Sequence, residues 1–379
     1  MKSDTMPNTA KPPLSGIRVL EFAGLGPAPY AGMLLADLGA DVLRIERPGE
    51  AELFPVQNAP VLRGRRTLNR DLKDKTAVDL CLAIIEKADV LIEGFRPGVM
   101  ERLGLGPDVA LARNPRLIYG RMTGWGQDGP LARTAGHDLT FLALTGALEA
   151  IGPADGPPVP PLNLVGDMGG GGAFLVIGVL AALLERQNSG LGQVVDAAIL
   201  DGVASQLAIV LGLWNGGLWE RPRGHNLLDG AAPFYRTYRC SDGKFIAVAA
   251  LEPKFYAELI DRLGLDPAQY LPRQYDRSQW PRLHREFAAI FAAKPRDEWA
   301  SLLEGSDACA VPVLDFAEAA RHPHNRARST FIEDGGGLQP SPAPRFSRST
   351  PSLSSHSQSD GEDALKDWGV APGGSTSSP

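Results

Sequence analysis

The sequence is poor in cysteine. Its 379 residues include three, Cys81, Cys240 and Cys309. They are odd in number, widely separated, and each lies in a helical or strand-like pattern. Neither a disulfide framework nor a zinc site is supported, and buried or free thiols are expected. A surplus of positive charge is also missing. The net charge of −6 and a sequence pI near 5.6 argue against nucleic acid or an anionic membrane as a general partner, although a local basic cluster can still hold phosphate. Long hydrophobic runs are absent: the longest, Ala173 to Leu184, falls short of the ~20 residues that span a bilayer. The opening MKSDTMPNTAKPPLSG has no apolar core of the signal-peptide type, so a cytoplasmic protein without a membrane span is expected. No internal repeat occurs. A full dinucleotide fingerprint is lacking too: Gly24 and Gly26 follow a strand-like run and Glu46 comes 20 residues after Gly26, but Ala28 and Pro29 stand where the third glycine belongs.

What is present is an ordinary globular composition, 44% hydrophobic and 22% charged, in a chain long enough for two domains and a large core. IRVLEF (17–22) reads as a buried strand, PYAGMLLADL (29–38) as a helix closed by Gly39, and DVLRIE (41–46) as a second strand. The alternation continues through a helix at TAVDLCLAIIEKA and strands at 89–95, 116–126 and 193–199, with helices from about 173 to 186 and from 201 to 214. Such an order describes a doubly wound α/β domain, placed at 14–215. From 223 to 318 the pattern changes to strands at YRTYRC, FIAVAAL and VPVLDF with helices between them, which suits a smaller α+β domain. Residues 319–346 form a return segment. The Ser/Pro/Gly-rich 347–379 is expected to be mostly disordered, with EDALKDWGV its one ordered turn.

Two ionisable groups stand where glycine-bearing segments run into apolar helical patterns. His137 precedes DLTFLALTGAL, so it should lie at a helix N-terminus, where the dipole favours the neutral imidazole that a base requires. A backbone-bonded residue at a helix start is the plainer alternative. Asp167 precedes Gly169 to Gly172 and then AFLVIGVLAALLER, at the mouth of a buried helix whose first N–H groups could receive an oxyanion. It could equally be an N-cap. A third feature is basic: LRGRRTLNRDLKD (62–74) packs Arg63, Arg65, Arg66, Arg70 and Lys73 together. Such a run is either a solvated loop or a phosphate site, and its place beside the C-terminal ends of parallel strands favours phosphate.

Four blocks carry a resemblance: PLSGIRVLEFAGLGPAPYAGMLLADLGADVLRIERP, ADVLIEGFRPGVMERLGLGP, RMTGWGQDGPLARTAGHDLTFLALTGAL and PPLNLVGDMGGGGAFLVIGVLAALLERQNSGLGQVVDAAILDG. In this order they resemble the family III coenzyme A transferases of the CaiB/BaiF type, and among these the alpha-methylacyl-CoA racemases. The resemblance extends from about Pro13 to Phe346. It implies a Rossmann-like large domain with a smaller α+β domain, two chains interlocked as a homodimer, an acyl-CoA thioester as small-molecule substrate, and no cofactor beyond the CoA moiety of that substrate. As in the racemases, His137 and Asp167 would be the two acid–base groups, with Glu252 of LEPKFY near the histidine. The implied CoA contacts are Arg47, the segment Arg70, Asp71, Leu72 and Lys73, then Gly94, Phe95 and Arg96, then Arg102, and the run from Gly136 through Asp138 to Phe141. On this view the Gly24–Pro29 loop borders a CoA ester rather than a nicotinamide.

The implied chemistry is inversion at the carbon alpha to a thioester carbonyl, with a base on one face, an acid on the other, and the glycine run beside the enolate oxygen. Two alternatives use the same scaffold: a CoA transferase in which Asp167 attacks the thioester as a nucleophile, and a CoA-ester binding protein without catalysis. His137 favours the racemase, as does DGAAPFYRTY (229–238) where the transferases carry a glycine-rich loop.

Overall fold

The computed structural model describes residues 11–49, 59–334, 337–351 and 360–371. Contacts divide the chain into two units. The larger takes residues up to Thr145, Pro161–Gln206 and the chain from Ser329 onward; the smaller takes Gly146–Pro160 and Leu207–Arg328.

The larger unit is built on six strands: β1 (Arg18–Phe22), β2 (Asp41–Glu46), β3 (Arg65–Asn69), β4 (Val90–Glu93), β5 (Ile118–Thr123) and β6 (Gln193–Ala198). All five pairings are parallel and the order is β3-β2-β1-β4-β5-β6. That is the doubly wound order whose ligand sites lie beyond the carboxyl ends of the strands. Strands covered on both faces read as apolar runs, and in β1, β2 and β4 Val19, Leu20, Phe22, Val42, Leu43, Val90, Leu91 and Ile92 are fully buried, the buried charges Glu21 and Arg44 being paired with each other.

The connecting helices are α1 (Pro27–Asp37), α2 (Lys75–Ile85), α3 (Val99–Arg102), α4 (Pro107–Arg113), α5 (Asp138–Thr145), α6 (Phe174–Ser189) and α7 (Ile199–Gln206). Alternation along the strands sorts them to two faces. Leu20, Phe22, Leu43, Leu91 and Tyr119 pack with Cys81, Ile84 and Ile85 of α2 and Ala110 of α4. The intervening positions meet the other layer: Gly32 of α1 lies over Glu21, and Gly120 faces Leu175 and Val179 of α6. Each buried Leu or Ile contributes about 1.5–3 kcal/mol, so this double-sided core is the main source of stability. Leu164–Ser189 is one continuous helical stretch of 26 residues whose most apolar 18-residue window has mean hydropathy 1.8, long and apolar enough by length and composition to cross a bilayer. It exceeds the expected apolar run because Leu164–Ala173 is π-helical and runs straight into α6.

The smaller unit contains α8 (Ala208–Asn215), β7 (Tyr235–Arg239), β8 (Phe245–Ala249), α9 (Pro253–Arg262), α10 (Pro267–Tyr270), α11 (Trp280–Phe291), α12 (Arg296–Leu303), β9 (Ala310–Pro312), α13 (Phe316–Arg321) and α14 (Pro323–Ala327). Its sheet is antiparallel, β7-β8-β9, over a core of Tyr238, Ile246, Val248, Tyr256, Leu259, Phe287, Phe291 and Trp299. The chain then returns through the hairpin β10 (Phe331–Asp334) and β11 (Gly337–Pro340) to α15 (Gly361–Trp368) in the larger unit.

Two features differ from the sequence reading, and a third extends it. The single helix expected over 201–214 is two, α7 and α8, and the units part between them, so the large unit stops at Gln206 rather than at 215. Gly146–Pro160, expected inside the large domain, joins the small one, where Arg223 hydrogen-bonds the Gly156 carbonyl and pairs with Glu149 at 3.1 Å. EDALKDWGV, expected as the one ordered turn of the C-terminal segment, forms α15, and its Ala364, Leu365 and Trp368 are buried in the core. Gly361 lies against the Thr67 carbonyl of β3, and Trp368 Nε1 donates to Asp41 at 2.7 Å. The rest of the tail expected to be disordered, 352–359 and 372–379, lies outside the described residues.

Candidate active site

Every candidate CoA contact except those near His137 sits just past the carboxyl end of a strand. Arg47 follows β2 and is exposed; Arg70 to Lys73 follow β3; Gly94, Phe95 and Arg96 follow β4; and Arg102 closes α3. Leu72 and Phe95 are half-buried against the core, which leaves their backbones and the flanking cations at the sheet edge. The Asp71 carboxylate accepts the Lys73 N–H at 3.0 Å and shapes this turn. Arg70 pairs with Glu362 of α15 at 2.5 Å, both partly exposed.

The basic run does not act as one patch. Arg63 is held by Asp37 at 2.5 Å and by the Pro340 carbonyl at 2.7 Å. Arg65 is fully buried on Glu21 at 3.0 Å, and Glu21 also binds Arg44. Arg66 spans Asp41 and Asp367 at 2.5 Å each. Arg63 and Arg65 neutralise the buried carboxylates Asp37 and Glu21, and withdrawing one partner of such a pair costs about 3–5 kcal/mol; Arg66 is itself buried and is held by two carboxylates that are more exposed. All three arginines are structural, and only Arg70 and Lys73 of the run reach the edge.

Beside them lies a second buried network. Glu93, at the end of β4, accepts the Phe95 N–H at 2.8 Å and Arg121 Nε at 3.0 Å. Arg121 reaches on to Glu101 at 2.8 Å. Burial pushes the Glu93 carboxyl up to about 7, against the opposing pull of the Phe95 N–H and Arg121. The network ties the Gly94–Arg96 turn to the helix that ends in Arg102.

His137 is the residue before α5 and is exposed. Its N–H donates to Thr140 Oγ1 at 3.0 Å, and its carbonyl accepts the Thr140 hydroxyl at 2.7 Å and the Thr140 N–H at 2.8 Å. The backbone is thus pinned while the imidazole stands outside the turn. Phe141, one turn on, is buried edge-to-face on Trp125 at 4.7 Å. A Cβ on Gly136 would fall 2.5 Å from the Phe141 ring, which explains why Gly136 belongs in this segment on steric grounds.

Asp167 lies in the first turn of the π-helical stretch. Its N–H donates to Asp138 Oδ1 at 2.7 Å, and the Gly166 N–H also reaches the Asp138 carboxylate. Its own carboxylate accepts a hydrogen bond from the Asn163 side chain and faces Gly26, where a Cβ would come 3.1 Å from Oδ2. Gly26 has φ +70°, so the turn after β1 suits glycine both in conformation and in space. Burial, then the Asp138 charge, push the Asp167 carboxyl up to about 6, while Asn163 and the nearby His137 pull it down. The structure therefore brings His137 and Asp167 within electrostatic reach of one another.

The glycine run does not form an anion cradle. Gly170, Gly171 and Gly172 are buried within the helix. A Cβ on Gly170 would strike Val203 of α7 at 2.8 Å, and one on Gly172 would strike the Pro27 carbonyl at 2.7 Å. The run lets the helix pass close to α1 and α7, and its N–H groups lie mid-helix rather than at an open end. Glu252 belongs to the smaller unit, exposed at the start of α9, where its carbonyl accepts the Tyr256 N–H at 2.9 Å. Sequence reasoning missed Asn163, Gly26 and Gly166 as parts of the Asp167 site. Only Asn163, four residues before Asp167, left a local signal. Among the described residues no group of three His, Cys, Asp or Glu is placed to hold a metal.

Residues 14–358 match CoA-transferase family III. The chain belongs to that family. It is 48% identical over 344 residues to a Mus musculus protein named alpha-methylacyl-CoA racemase, covering 90% of this chain and 88% of that one. The Homo sapiens protein of the same name is 45% identical over 332 residues, 87% and 86% of the two chains. A solved CaiB/BaiF family protein from Brucella suis superposes with a TM-score of 0.79 at 26% identity, over 95% of this chain and all of that one. In this sheet of dinucleotide-binding order, Gly26, the second glycine of the incomplete fingerprint, is packed against Asp167.

Proposed function

We propose that this chain racemises 2-methylacyl-CoA thioesters at C2, with His137 and Asp167 as the two acid–base groups. The observation that carries the reading is the pairing of these groups, one exposed imidazole and one half-buried carboxyl raised to about 6, in a family III chain with racemase-named relatives. A carboxyl poised near neutrality both gives and takes a proton at working pH. Either group removes the C2 proton from its own face while the conjugate acid of the other returns one to the opposite face. One proton shared between the two is the active state in both directions, and the transfers require no further group. The glycine run being packed, the enolate oxygen is assigned to the start of α5, at the N–H groups of Asp138 and Leu139 ahead of the Thr140 N–H that bonds the His137 carbonyl. The phosphates of CoA are assigned to Arg47, Lys73, Arg96 and Arg102, with Arg70 joining by exchange from Glu362. Glu252 keeps the supporting role that the family resemblance implies.

A homodimer is part of this reading. The large apolar side chains Ile177 and Leu184 of α6 are 58% and 65% exposed, and Ile209 of α8 is 72% exposed, which is the kind of surface a second chain covers. Incubation with a 2-methylacyl-CoA in heavy water tests the function: deuterium should enter C2 and the epimers should interconvert. CoA transfer to a free acid at a comparable rate without C2 exchange would overturn it and install Asp167 as a nucleophile.

A further inference from the structure

Asp138 links the two bases: it follows His137 in sequence, and its carboxylate bonds the peptide of Asp167. It is the first residue of α5, so its main chain continues the turn that holds the histidine. Its carboxylate turns away from that helix and binds the first π-helical turn, accepting the N–H groups of Asp167 at 2.7 Å and of Gly166. The approach is possible only because residue 166 is glycine, since a Cβ there would fall 2.2 Å from Asp138 Oδ1. The family resemblance places Asp138 among CoA contacts; the hydrogen bonds place its side chain against the peptide of the carboxyl base.

We infer that Asp138 is a positioning residue for the acid–base pair: its carboxylate locks the Asp167 peptide to the His137 turn and sets a second negative charge beside the Asp167 carboxyl. The inference rests on the assignment of His137 and Asp167 as the two bases. The charges facing Asp167 are Asp138 and His137. The neutral groups are Asn163 and the Gly26 backbone, while α1 and α7 approach the same stretch with Tyr30 against Gly172 and Gln206 against Gly169. Asp201, the acidic residue of α7, is exposed. Among these, Asp138 is the one group that opposes ionisation through charge. A like charge so close raises a carboxyl, and neutralising it lowers the carboxyl by about one unit.

The test is Asp138→Asn, which keeps an acceptor oxygen and the shape while removing the charge, compared with Asp138→Ala, which removes both. Carboxyl titration of Asp167, followed by NMR in protein carrying carbon-13 aspartate and assigned through Asp167→Asn, is read alongside KM and kcat for a 2-methylacyl-CoA. The expected result for Asp138→Asn is an Asp167 titration moved to lower pH by about one unit, an acid limb of kcat/KM that moves with it, and a KM within about twofold of wild type. Asp138→Ala should lose kcat by a further tenfold or more as the peptide comes loose. An Asp167 titration unmoved in Asp138→Asn overturns the inference, whether KM is also unmoved or rises tenfold as for a plain CoA contact. The titration is read without turnover. If the wild-type protein failed to exchange the C2 proton, the racemase reading would fall while the titration still decided the role of Asp138.

Discussion

The turns that carry His137 and Asp167 are alike in plan and opposite in environment. Each puts an ionisable side chain at the start of a helical stretch, but the His137 turn closes on itself through Thr140 and leaves the imidazole exposed. The Asp167 turn is closed by residues from elsewhere: Asp138 holds its N–H, Asn163 its carboxylate, and Gly26 walls it in. An aspartate is ordinarily ionised at neutral pH, and burial beside a second carboxylate raises Asp167 from 3.8 to about 6. The surroundings thus act on the carboxyl, while the imidazole is left facing solvent.

The sharpest way to break this comparison is to remove one member. His137→Ala and Asp167→Ala should each lower epimer interconversion by about 10³-fold or more, near the upper range for loss of an acid–base group. Each variant should still wash deuterium into one epimer with retention, and the favoured epimer should be opposite in the two. Chiral analysis of the deuterated product reads both. Wild-type racemisation by His137→Ala would end the two-base scheme.

Gly166→Ala attacks the support rather than the base. Its Cβ would displace Asp138 from the Asp167 peptide, so kcat should drop by about 10- to 100-fold with little change in KM, as when a reacting group is misplaced by an ångström. Steady-state kinetics on folded protein decides it, and an unchanged kcat would show that the Asp138 contact is dispensable.

A smaller effect is expected where the site meets CoA. Arg102→Ala or Arg47→Ala should raise KM about five- to tenfold with kcat nearly constant, since contacts remote from C2 hold ground and transition states alike, and added salt should weaken binding of the wild type. Arg63→Ala, from the same stretch of chain as the edge cations, should do the reverse, lowering Tm while leaving KM alone, because its partner Asp37 is buried. Equal KM effects from Arg63 and Arg102 would erase the distinction drawn between them.

The smallest effect is on stability. The Asp167 carboxyl is raised in the folded protein from the ordinary 3.8 to about 6. Its folded-state protonation therefore favours the native state below pH 3.8, and this contribution fades as pH rises to and through about 6. Asp167→Asn should accordingly gain stability over wild type above pH 6, by a few degrees in Tm, and show no such gain near pH 4. A constant Tm difference from pH 4 to pH 8 would mean the carboxyl titrates normally.

Local patterns carried much of the fold. β2 was legible to the residue and β6 to within one, because buried parallel strands read as unbroken apolar runs with turns at both ends. What failed was whatever depends on partners far along the chain. Arg63, Arg65 and Arg66 look like Arg70 until Asp37, Glu21, Asp41 and Asp367 come beside them. The glycine run reads as an open loop until α1 and α7 press on it. EDALKDWGV was legible as an ordered turn, but that α15 buries its Leu365 and Trp368 in the core of the larger unit was not. In the site, His137 and Asp167 were visible as ionisable groups at helix starts, whereas the Asp138 link joins residues 29 apart and leaves no local trace.

That last helix has a consequence for the order in which the protein can be completed. β3 is an edge strand, and α15 lies along it with Gly361 over the Thr67 carbonyl and Arg66 bound to Asp367. A chain emerging from the ribosome at about 5–20 residues per second exposes β3 long before Gly361 exists. During that interval the whole smaller unit is synthesised while the edge of the larger one stays open and Arg66 awaits one of its carboxylates. A chain cut short after Arg328 would retain all six strands of the sheet, and it would keep that open edge permanently.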